Sequence, residues 1–447
     1  MNVAVQQTRT EQALLDAFPA FRANAPLSPW LDKQREAGYS AFAATGLPHR
    51  RIEEWRWTDL RRALQSAYLP LTEPAKPAAG VVERLMAKSP FTGLDAARLV
   101  FVDGRFDAQR SELPVADGLT VLTLSEMPED APAWLKDTFG KVYGPEADPI
   151  RALNAAFLRD GAAIHVAAGV AVEQPIEIIS VVTDPSAHIS GLRNVVVLEA
   201  GAALTLIETH VGAAADHVAG AVTEIRIGDD ATFQRIKVQD DSLEAVHLAN
   251  LHVEIGARAR FREFTATAGS RLSRNQIFAK FRGEEADANI SGAYLLAGKQ
   301  HCDTTLVVNH AVPHCTSREL FKAVLDDEAH GIFQGKLIVE QYAQKTDGKQ
   351  QSHGLLLSER AEFDAKPELE IFADDVACGH GATAGQLNED LLFYLMARGI
   401  PEPQAKSMLI AAFVAEAFDA VDHEGIRERL AALAEGWLIS SGENGNG

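Results

Sequence analysis

The sequence predicts a mainly β fold, a right-handed parallel β-helix (a solenoid) flanked by N-terminal and C-terminal helical regions. From residue 161 onwards, short apolar runs are punctuated by glycine, and Gly201, Gly228, Gly256 and Gly283 each separate two such runs. Subtraction of their numbers gives intervals of 27, 28 and 27 residues. A fixed period of about 20–30 residues with β alternation is typical of a solenoid, whose parallel strands are expected to wind right-handed. Helical hydrophobic spacing before and after this stretch predicts the flanking regions.

The competing interpretation is an antiparallel sandwich whose glycines fall into register by coincidence. Leu251, Val253 and Ile255 alternate with polar residues before the third glycine. Ala259 and Phe261 follow that glycine at its third and fifth positions, and the equivalent positions after the other glycines are also apolar. Matched positions on both sides of four glycines favour the solenoid.

Changes in hydrophobic spacing and in glycine and proline content divide the chain into four predicted regions. They are an N-terminal helical region (1–80), a mixed α/β connecting region (81–150), the parallel β-helix core (151–385) and a C-terminal helical region that docks an ATPase partner (386–447). The last assignment depends on the family resemblance described below.

The N-terminal region combines helical spacing with a proline-rich end. Leu14 and Phe18 belong to an apolar set that recurs at helical intervals. Prolines at three positions predict that the end of this region is a linker, namely Pro70, Pro74 and Pro77.

Short signals predict the elements on either side of the core. In the connecting region, ARLVFVDGRFD predicts a strand pair that turns at Asp103 and Gly104. In the C-terminal region, Asn388 is predicted to cap a helix that Gly399 ends. A second helix, predicted from about 403 to 418, has so little polar surface that it is expected to pack in a core or against a partner. The final SSGENGNG is predicted to be disordered.

Composition narrows the class of protein. The chain has 447 residues, of which 47% are hydrophobic and 23% charged, as expected of a globular protein with a large core. Its formal net charge of −20 argues against nucleic acid or an anionic membrane as a partner. The first residues lack the pattern of a signal peptide, and no apolar run is long enough to span a bilayer. Three sparse cysteines, Cys302, Cys315 and Cys378, fit the reducing cytoplasm better than a disulfide framework.

Cys378 and His380 form the one pair of soft-ligand residues at strand spacing. If both lie on a strand, a separation of two residues puts their side chains on the same face. A thiolate and an imidazole on one face can hold iron, zinc or copper, but two ligands need others from a partner or from elsewhere in the chain. The simpler interpretation is a buried cysteine and a hydrogen-bonded structural histidine.

The stretch HCDTTLVVNHAVPHC also collects histidines and cysteines. Its spacing fits no common zinc pattern, and Pro313 argues against the last two histidines lying on one helical turn. We therefore interpret these residues as packing and turn positions and assign them no ligand role: His301, Cys302, His310, His314 and Cys315.

Longer segments of the sequence resemble those of a known protein family. The C-terminal third contains NHAVPHCTSRELFKAVLDDEAHGIFQGKLIV, AQKTDGKQQSHGLLLSERAEFDAKPELEIFADDVACGHGAT and LLFYLMARGIP. Shorter matching segments lie upstream, namely EEWRWTDL, LVFVDGRFD and DGAAIHVAAGVAVEQPIEI. In these segments the chain resembles the SufB/SufD family of iron–sulfur cluster assembly proteins, and the resemblance covers most of its length. ADDVACGHGAT and the low cysteine number are most similar to the SufD type of that family.

The resemblance implies a non-catalytic scaffold subunit of a SufBCD complex. Its partners would be a SufB-type subunit and a SufC-type ATPase, which would drive cluster formation at the SufB–SufD interface. His380 would lie at that interface as an imidazole ligand or proton acceptor for a nascent iron–sulfur cluster, and Cys378 is the weaker candidate. The resemblance also implies reduced flavin in the complex and allows a homodimer of the isolated chain.

The same resemblance implies that the C-terminal helical region docks on the ATPase subunit. The candidate docking residues are those of LLFYLMARGIP: Leu391, Leu392, Phe393, Tyr394, Arg398, Gly399, Ile400 and Pro401.

Two alternatives remain at this point. A solenoid enzyme acting on acidic polysaccharide could use Asp374, Asp375 and Arg360, although the helical C-terminus and the absent signal peptide argue against it. A SufB-type scaffold is the other, although Ser352 stands in a segment where further cysteines would be expected. The sequence has no G-x-x-x-x-G-K-[ST] phosphate loop, so ATP hydrolysis by that route is not expected of this chain.

Overall fold

The structure is a computed structural model that describes residues 7–73, 76–213 and 216–444, with side chains as far as Trp437. Residues 1–6 of the predicted helical region, Pro74 of the predicted linker and residues 445–447 of the predicted disordered tail lie outside the described residues. Strands occupy the middle of the chain and helices its two ends, which confirms the predicted fold class.

The N-terminal part contains mostly short helices. Its elements are α1 (Arg9–Asn24), α2 (Pro29–Thr45), α3 (Leu60–Ala63), β1 (Leu69–Pro70), α4 (Val81–Met86), β2 (Ala97–Val102), β3 (Arg105–Phe106), β4 (Leu119–Thr123), α5 (Ala133–Thr138) and α6 (Pro149–Ala156). Helix α1 begins at a capping box formed by Thr8 and Glu11, and it buries Leu14 and Phe18 as its spacing predicts. The hairpin of β2 and β3 turns at Asp103 and Gly104 as expected.

The solenoid strands follow in chain order. They are β5 (Ala162–Val166), β6 (Ile176–Val182), β7 (His188–Ile189), β8 (Leu192–Leu198), β9 (Ala203–Gly212), β10 (Val218–Ala219), β11 (Ala221–Ile227), β12 (Thr232–Asp240), β13 (Val246–Ile255), β14 (Arg260–Thr267), β15 (Leu272–Phe281), β16 (Asp287–Leu296), β17 (His301–His310), β18 (Thr316–Leu325), β19 (His330–Val339), β20 (Asp347–Leu356), β21 (Glu362–Ile371) and β22 (Ala377–Gly385).

The strands form two sheets that face each other across a packed interior. The twelve-stranded sheet has the order β21-β19-β17-β15-β13-β11-β8-β5-β4, with β1, β7 and β10 paired off this path. The ten-stranded sheet has the order β22-β20-β18-β16-β14-β12-β9-β6-β2-β3. Consecutive coils pair in parallel, so that Ile277 lies opposite Leu306 and Leu306 opposite Gly335. Side chains of successive coils stack inside, for example Phe233 on Phe261 with ring centroids 6.2 Å apart. Each coil thereby buries its inner face against its neighbours.

Three of the four repeated glycines lie in close backbone contact with the preceding coil, whereas Gly201 has a φ of +69° and a Cβ there would meet no atom closer than 3.8 Å. A Cβ added to Gly228 would lie 2.8 Å from the carbonyl oxygen of Leu198, and one added to Gly283 would lie 2.0 Å from the amide nitrogen of Ala257. Distances under about 3 Å cannot be accommodated without moving the backbone. Only glycine fits where the chain turns this close to the coil before it.

Two boundaries differ from the predicted regions. Strand β1 lies in the segment predicted to be a linker, where Leu69 pairs in parallel with His188 of β7. Strands β2 and β4 join the two sheets, so the β architecture begins before residue 151. The glycine repeat does not extend to β2 or β4, so the predicted strand pair of ARLVFVDGRFD was not assigned to the solenoid and β4 was not predicted.

Three helices follow the solenoid: α7 (Glu389–Ala397), α8 (Glu402–Ala415) and α9 (Glu424–Asn444). Helices α8 and α9 cover the outer face of the ten-stranded sheet, where Phe264 meets Phe418 at a centroid distance of 5.3 Å. The Asn388 side chain caps α7 and Gly399 ends it with φ +85°, as predicted. The sequence did not predict α9, and this helix extends the ordered chain through most of the tail predicted to be disordered.

Candidate functional site

The candidate pair Cys378 and His380 lies on β22, the last strand of the ten-stranded sheet. Parallel register places Cys378 opposite Gly348 and His380 opposite Gln350 of β20. Gln350 is buried and Cys378 packs against the main apolar core, so both members of the pair belong to the inner face of the sheet. His380 is nevertheless exposed, because no further coil in the described ranges covers β22.

Cys378 is held as a thiol rather than a thiolate. Burial raises its pKa, and the nearby backbone of Gly348 and the charge of Lys349 offset this only in part. A thiol must lose its proton before the sulfur can bind a metal. Among the described residues, no group of three or more His, Cys, Asp or Glu side chains is arranged to hold a metal ion. The pair therefore provides at most part of a ligand set.

The backbone at this end of the solenoid is unpaired on one side. Strand β22 pairs with β20 and strand β21 with β19, and each is the last strand of its sheet in the part of the chain that the structure describes. The outward-facing amide and carbonyl groups of such edges can pair with another chain. The connection between the two strands adds exposed apolar surface, since Phe372 is 62% exposed.

A buried polar column leads from the interior to His380. Register aligns Glu319 of β18 with Gln350 of β20 and then with His380. Neither carboxylate oxygen of Glu319 has a hydrogen bond of ordinary geometry to the described residues, and burial raises the pKa of this group to about 7. A Cβ on Gly335 would lie 1.9 Å from Nε2 of Gln350, so this glycine leaves the space that the amide occupies.

Sequence reasoning missed Glu319 and Gln350. They are separated from each other by 31 residues and from His380 by a further 30, close to the solenoid period. The glycine repeat does not continue beyond Gly283, since Val312 and Ala343 stand at the corresponding positions of the next two coils, so it does not align these residues.

The histidines and cysteines of 301–315 occupy packing and turn positions. Cys302 and Cys315 lie in the apolar core, and burial raises their pKa values to about 12 and about 11. His310 is buried with Nε2 2.9 Å from the Ser317 hydroxyl. His301 lies on the outer side, with Nε2 3.0 Å from the Thr58 hydroxyl. His314 lies in a turn with φ +60°. These contacts agree with the structural interpretation.

The predicted ATPase-docking residues lie on and just after α7, which has no buried residue. Leu391, Phe393 and Tyr394 are 51%, 72% and 53% exposed, whereas Leu392 is half-buried. The Arg398 guanidinium lies over the Tyr394 ring at 4.5 Å. Gly399, Ile400 and Pro401 form the turn into α8. Apolar side chains clustered in this way on one exposed helix are typical of an interaction surface.

The residues considered for a polysaccharide enzyme do not meet. Arg360 precedes β21 and Asp374 and Asp375 follow it, so that a ten-residue strand of roughly 33 Å separates them. Arg360 contacts Glu328 at 3.6 Å, and Asp375 forms an ion pair with Lys345. This separation removes the site on which that alternative depended.

The interior of the middle coils carries its own charges. Arg235 contacts Glu208 at 2.6 Å and Glu263 at 2.7 Å, all three side chains being buried. Lys237 donates to Oδ1 of Asn275 at 2.8 Å, and burial lowers its pKa to about 7. Each charge thus has a partner inside this part of the solenoid, unlike Glu319 nearer the end.

Comparison with known families defines the class of protein. Residues 181–413 match the family model described as "SUF system FeS cluster assembly, SufBD core domain", and residues 9–178 match the "SufBD protein N-terminal region". The chain therefore belongs to the SufBD family of iron–sulfur cluster assembly proteins.

Individual relatives refine this assignment to the SufD type. The chain is 30% identical to the iron–sulfur cluster assembly protein SufD of Escherichia coli over 87% of this chain and 88% of the relative. It is 31% identical to an iron–sulfur cluster assembly SufBD family protein of Synechocystis over 90% and 89% of the two chains. SufD of Bacillus subtilis is 28% identical over 64% and 66%. The chain is a SufD-like assembly protein, and its family membership supports a scaffold role.

None of the helices that the structure describes is long and apolar enough to cross a membrane.

Proposed function

We propose that this chain is a non-catalytic scaffold subunit whose open solenoid end pairs with a SufB-type partner and presents His380 to a nascent iron–sulfur cluster. The observation that carries the proposal is the end strand β22, one edge of which pairs with no strand of the described residues and which has an exposed histidine on its inner face. An imidazole at such an edge can bind iron or accept a proton while a partner supplies the remaining ligands. Cys378, half-buried and protonated, is the secondary candidate.

The exposed face of α7 supports a second interface in the same complex. Phe393 and Tyr394 form its centre, and aromatic residues of this kind are enriched at the energetic centres of interfaces. The proposed occupant is a SufC-type ATPase, to which the ATPase activity of the complex would belong. The proposed site of action is the cytoplasm. Reduced flavin is expected in the complex from the family resemblance alone, and we assign no residue of this chain to hold it.

The proposal is tested by co-expression with SufB-type and SufC-type partners. The wild-type chain is compared with His380→Ala, and recovery of the complex is measured together with iron and acid-labile sulfide. We expect both complexes to form and the cluster content of the variant to fall. The matched control is His353→Ala, since His353 lies on the outer face of β20 with Nδ1 2.7 Å from Thr383 of β22. Unchanged cluster content in His380→Ala would make that histidine structural.

A further variant separates the two interfaces. Phe393→Asp places a charge on the proposed ATPase surface and is expected to release the ATPase but retain the SufB-type partner. Loss of both partners together, or of neither, would contradict the assignment of α7. If the wild-type chain recovers no partner and instead forms a homodimer through β22, the open end is a self-association surface and the scaffold proposal is wrong.

A further inference from the structure

The two strands that end the solenoid direct part of their backbone amide and carbonyl groups to its open end. On the β19 side of β21, the amide of Glu362 donates to the carbonyl oxygen of Ala329 at 2.9 Å, and that of Phe372 donates to the carbonyl oxygen of Val339 at 2.9 Å. The register between the two strands is one-to-one throughout. Successive residues of a parallel strand direct these groups to opposite neighbours, so the even-numbered residues of β21 bond to β19. The odd-numbered residues point to the open edge: Phe363, Ala365, Pro367, Leu369 and Ile371.

Strand β22 presents a different set of residues at the open edge. The amide of Ala377 donates to the carbonyl oxygen of Thr346 at 2.9 Å, and the register with β20 is again one-to-one. The odd-numbered residues of β22 therefore bond to β20. The outward-pointing groups belong to Cys378, His380, Ala382 and Ala384. None of these residues is proline, so each offers one donor and one acceptor to another chain.

Pro367 removes the central donor from the open edge of β21. Its nitrogen points away from β19, so its position opposite Gly335 loses no hydrogen bond within the chain. A strand that paired with β21 from outside would lack the bond at this place. The donors that remain on either side, those of Ala365 and Leu369, are about 13 Å apart. A proline at such a position is one of the means by which proteins protect an exposed strand edge.

The outer-face side chains of the two strands differ in the same sense. Those of β21 are charged and already paired, since Lys366 contacts Glu53 at 2.8 Å and Glu368 at 3.3 Å, and Glu370 contacts Lys336 at 2.5 Å. Charged side chains also protect an edge, whereas small ones allow another strand to approach closely. The outer face of β22 has only small residues, and a Cβ would meet no atom within 4 Å at Gly379, Gly381 and Gly385.

We propose that a partner strand pairs with β22 alone, and that Pro367 is a specificity-determining residue that prevents the same pairing on β21. The occupant is an extended strand of the SufB-type subunit, and this choice rests on the proposed function. The choice of edge rests on the directions of the backbone groups, on Pro367 and on the outer-face side chains. The ten-stranded sheet then continues into the partner along residues 378–384, while the twelve-stranded sheet ends at β21.

Matched proline variants test the choice of edge. Ala382→Pro and Ala365→Pro each remove one amide that points to the open edge, where the described residues provide no strand. With SufB-type and SufC-type partners co-expressed, we expect Ala382→Pro to lower recovery of the SufB-type partner about tenfold or more, because it removes a donor and sets a ring against the partner strand. Ala365→Pro should lower this recovery less than about twofold. Equal losses, or a larger loss for Ala365→Pro, would overturn the proposal.

Hydrogen exchange of the wild-type complex gives a second measurement that does not depend on the folding of a variant. Thermal unfolding first shows whether each isolated proline variant is folded. In the wild-type complex, we expect the amides of His380 and Ala382 to exchange about tenfold or more slowly than in the isolated chain, because a partner strand bonds them. The amides of Ala365 and Leu369 should be slowed much less. Equal protection of the two strands would show that both edges pair with the partner.

The role of Pro367 is also tested without a partner. Pro367→Ala restores the missing donor and gives β21 a continuous free edge, so sedimentation of the isolated variant should show a larger oligomeric fraction than the wild type at equal concentration. The control is Pro185→Ala, at an exposed proline outside the strands, which should sediment as the wild type does. Identical sedimentation of all three proteins would overturn the protective role of Pro367. A wild-type chain that recovers no partner contradicts the scaffold proposal instead, and the two failures are thereby distinguished.

Discussion

The two ends of the solenoid are built differently. At the first end, β3 pairs antiparallel with β2 and β4 pairs antiparallel with β5, so the chain covers the edges of both sheets with its own strands. At the other end, β21 and β22 stop without a covering strand in the described ranges. Leu99 of β2 is fully buried, whereas Phe372 beside the last strands is largely exposed. One end is completed by the chain itself, and the other has the form of an interface.

The end strand also differs from the middle coils in its side chains. Apart from Cys378, His380 and Thr383, strand β22 consists of glycine and alanine. The middle coils instead hold large apolar groups and paired buried charges such as Arg235. An exposed edge is an aggregation hazard in an isolated protein, so its retention next to an exposed histidine favours a use in assembly. Substitutions in the middle coils should therefore reduce stability, whereas substitutions at the open end should reduce assembly with a partner.

The largest expected effect is on stability and comes from the middle coils. Arg235→Met removes the cation between Glu208 and Glu263 and leaves two buried carboxylates without it. We expect a loss of about 3–5 kcal/mol in the free energy of unfolding, measured by denaturant titration. The control is Arg282→Ala, which breaks a half-exposed pair with Glu254 in the same solenoid and should cost less than about 1 kcal/mol. Equal losses in the two variants would show that the buried charges are not mutually stabilising.

An intermediate effect is expected from Glu319, which lies between the middle and the end. Its folded pKa of about 7 exceeds the ordinary value of 4.5, so folding favours the protonated acid. The contribution of Glu319 to the free energy of unfolding is therefore complete below pH 4.5, decreases as the pH rises from 4.5 to 7 and is lost above pH 7. The free energy of unfolding decreases by about 3 kcal/mol over this range.

Glu319→Gln should remove this pH dependence, because the amide does not ionise. We expect the difference in unfolding free energy between variant and wild type to change in favour of the variant from pH 4.5 to pH 7 and to stay constant above it. Chemical denaturation at a series of pH values measures this difference. Parallel pH profiles for the two proteins would mean that the Glu319 carboxyl is solvated or hydrogen-bonded in the folded state.

Much of the fold could be predicted from sequence because it follows from local periodicity. Gly228, Gly256 and Gly283 make direct backbone contacts between coils, and the hairpin at Asp103 and Gly104 and the cap at Asn388 are short-range features. The pairing of β1 with β7 joins segments more than 100 residues apart without such a signal. Helix α9 was missed although Ile426, Leu430 and Ala434 recur at helical spacing and are buried, and only its last residues have the composition of a disordered tail.

The candidate site was predictable only where its residues are close in sequence. Cys378 and His380 are two residues apart, so strand geometry alone places them on one face. Glu319 and Gln350 reach the same column only through the register of three coils. Residues 52–55 contact strands more than 200 residues later, for example where Arg274 donates to the carbonyl oxygen of Glu54 at 2.7 Å, and no local pattern encodes such contacts.

The smallest effect on stability is expected at the open end, and glycine provides a matched comparison. Gly283→Ala would drive a methyl group against the backbone of Ala257 and should cost about 1–3 kcal/mol or more in unfolding free energy. Around Gly381 a Cβ meets no atom within 4 Å, so Gly381→Ala should change stability by less than about 1 kcal/mol.

The same Gly381→Ala substitution should reduce assembly of the complex more than it reduces the stability of the isolated chain. If a partner strand approaches β22 closely, the added methyl group lowers recovery of the complex while the isolated chain unfolds as the wild type does. Thermal unfolding and co-purification with a SufB-type partner measure the two properties on the same preparation. Wild-type recovery would show that the partner does not contact the outer face of β22 at this position. A large loss of stability would instead show that the glycine serves this chain's own fold, as Gly283 does.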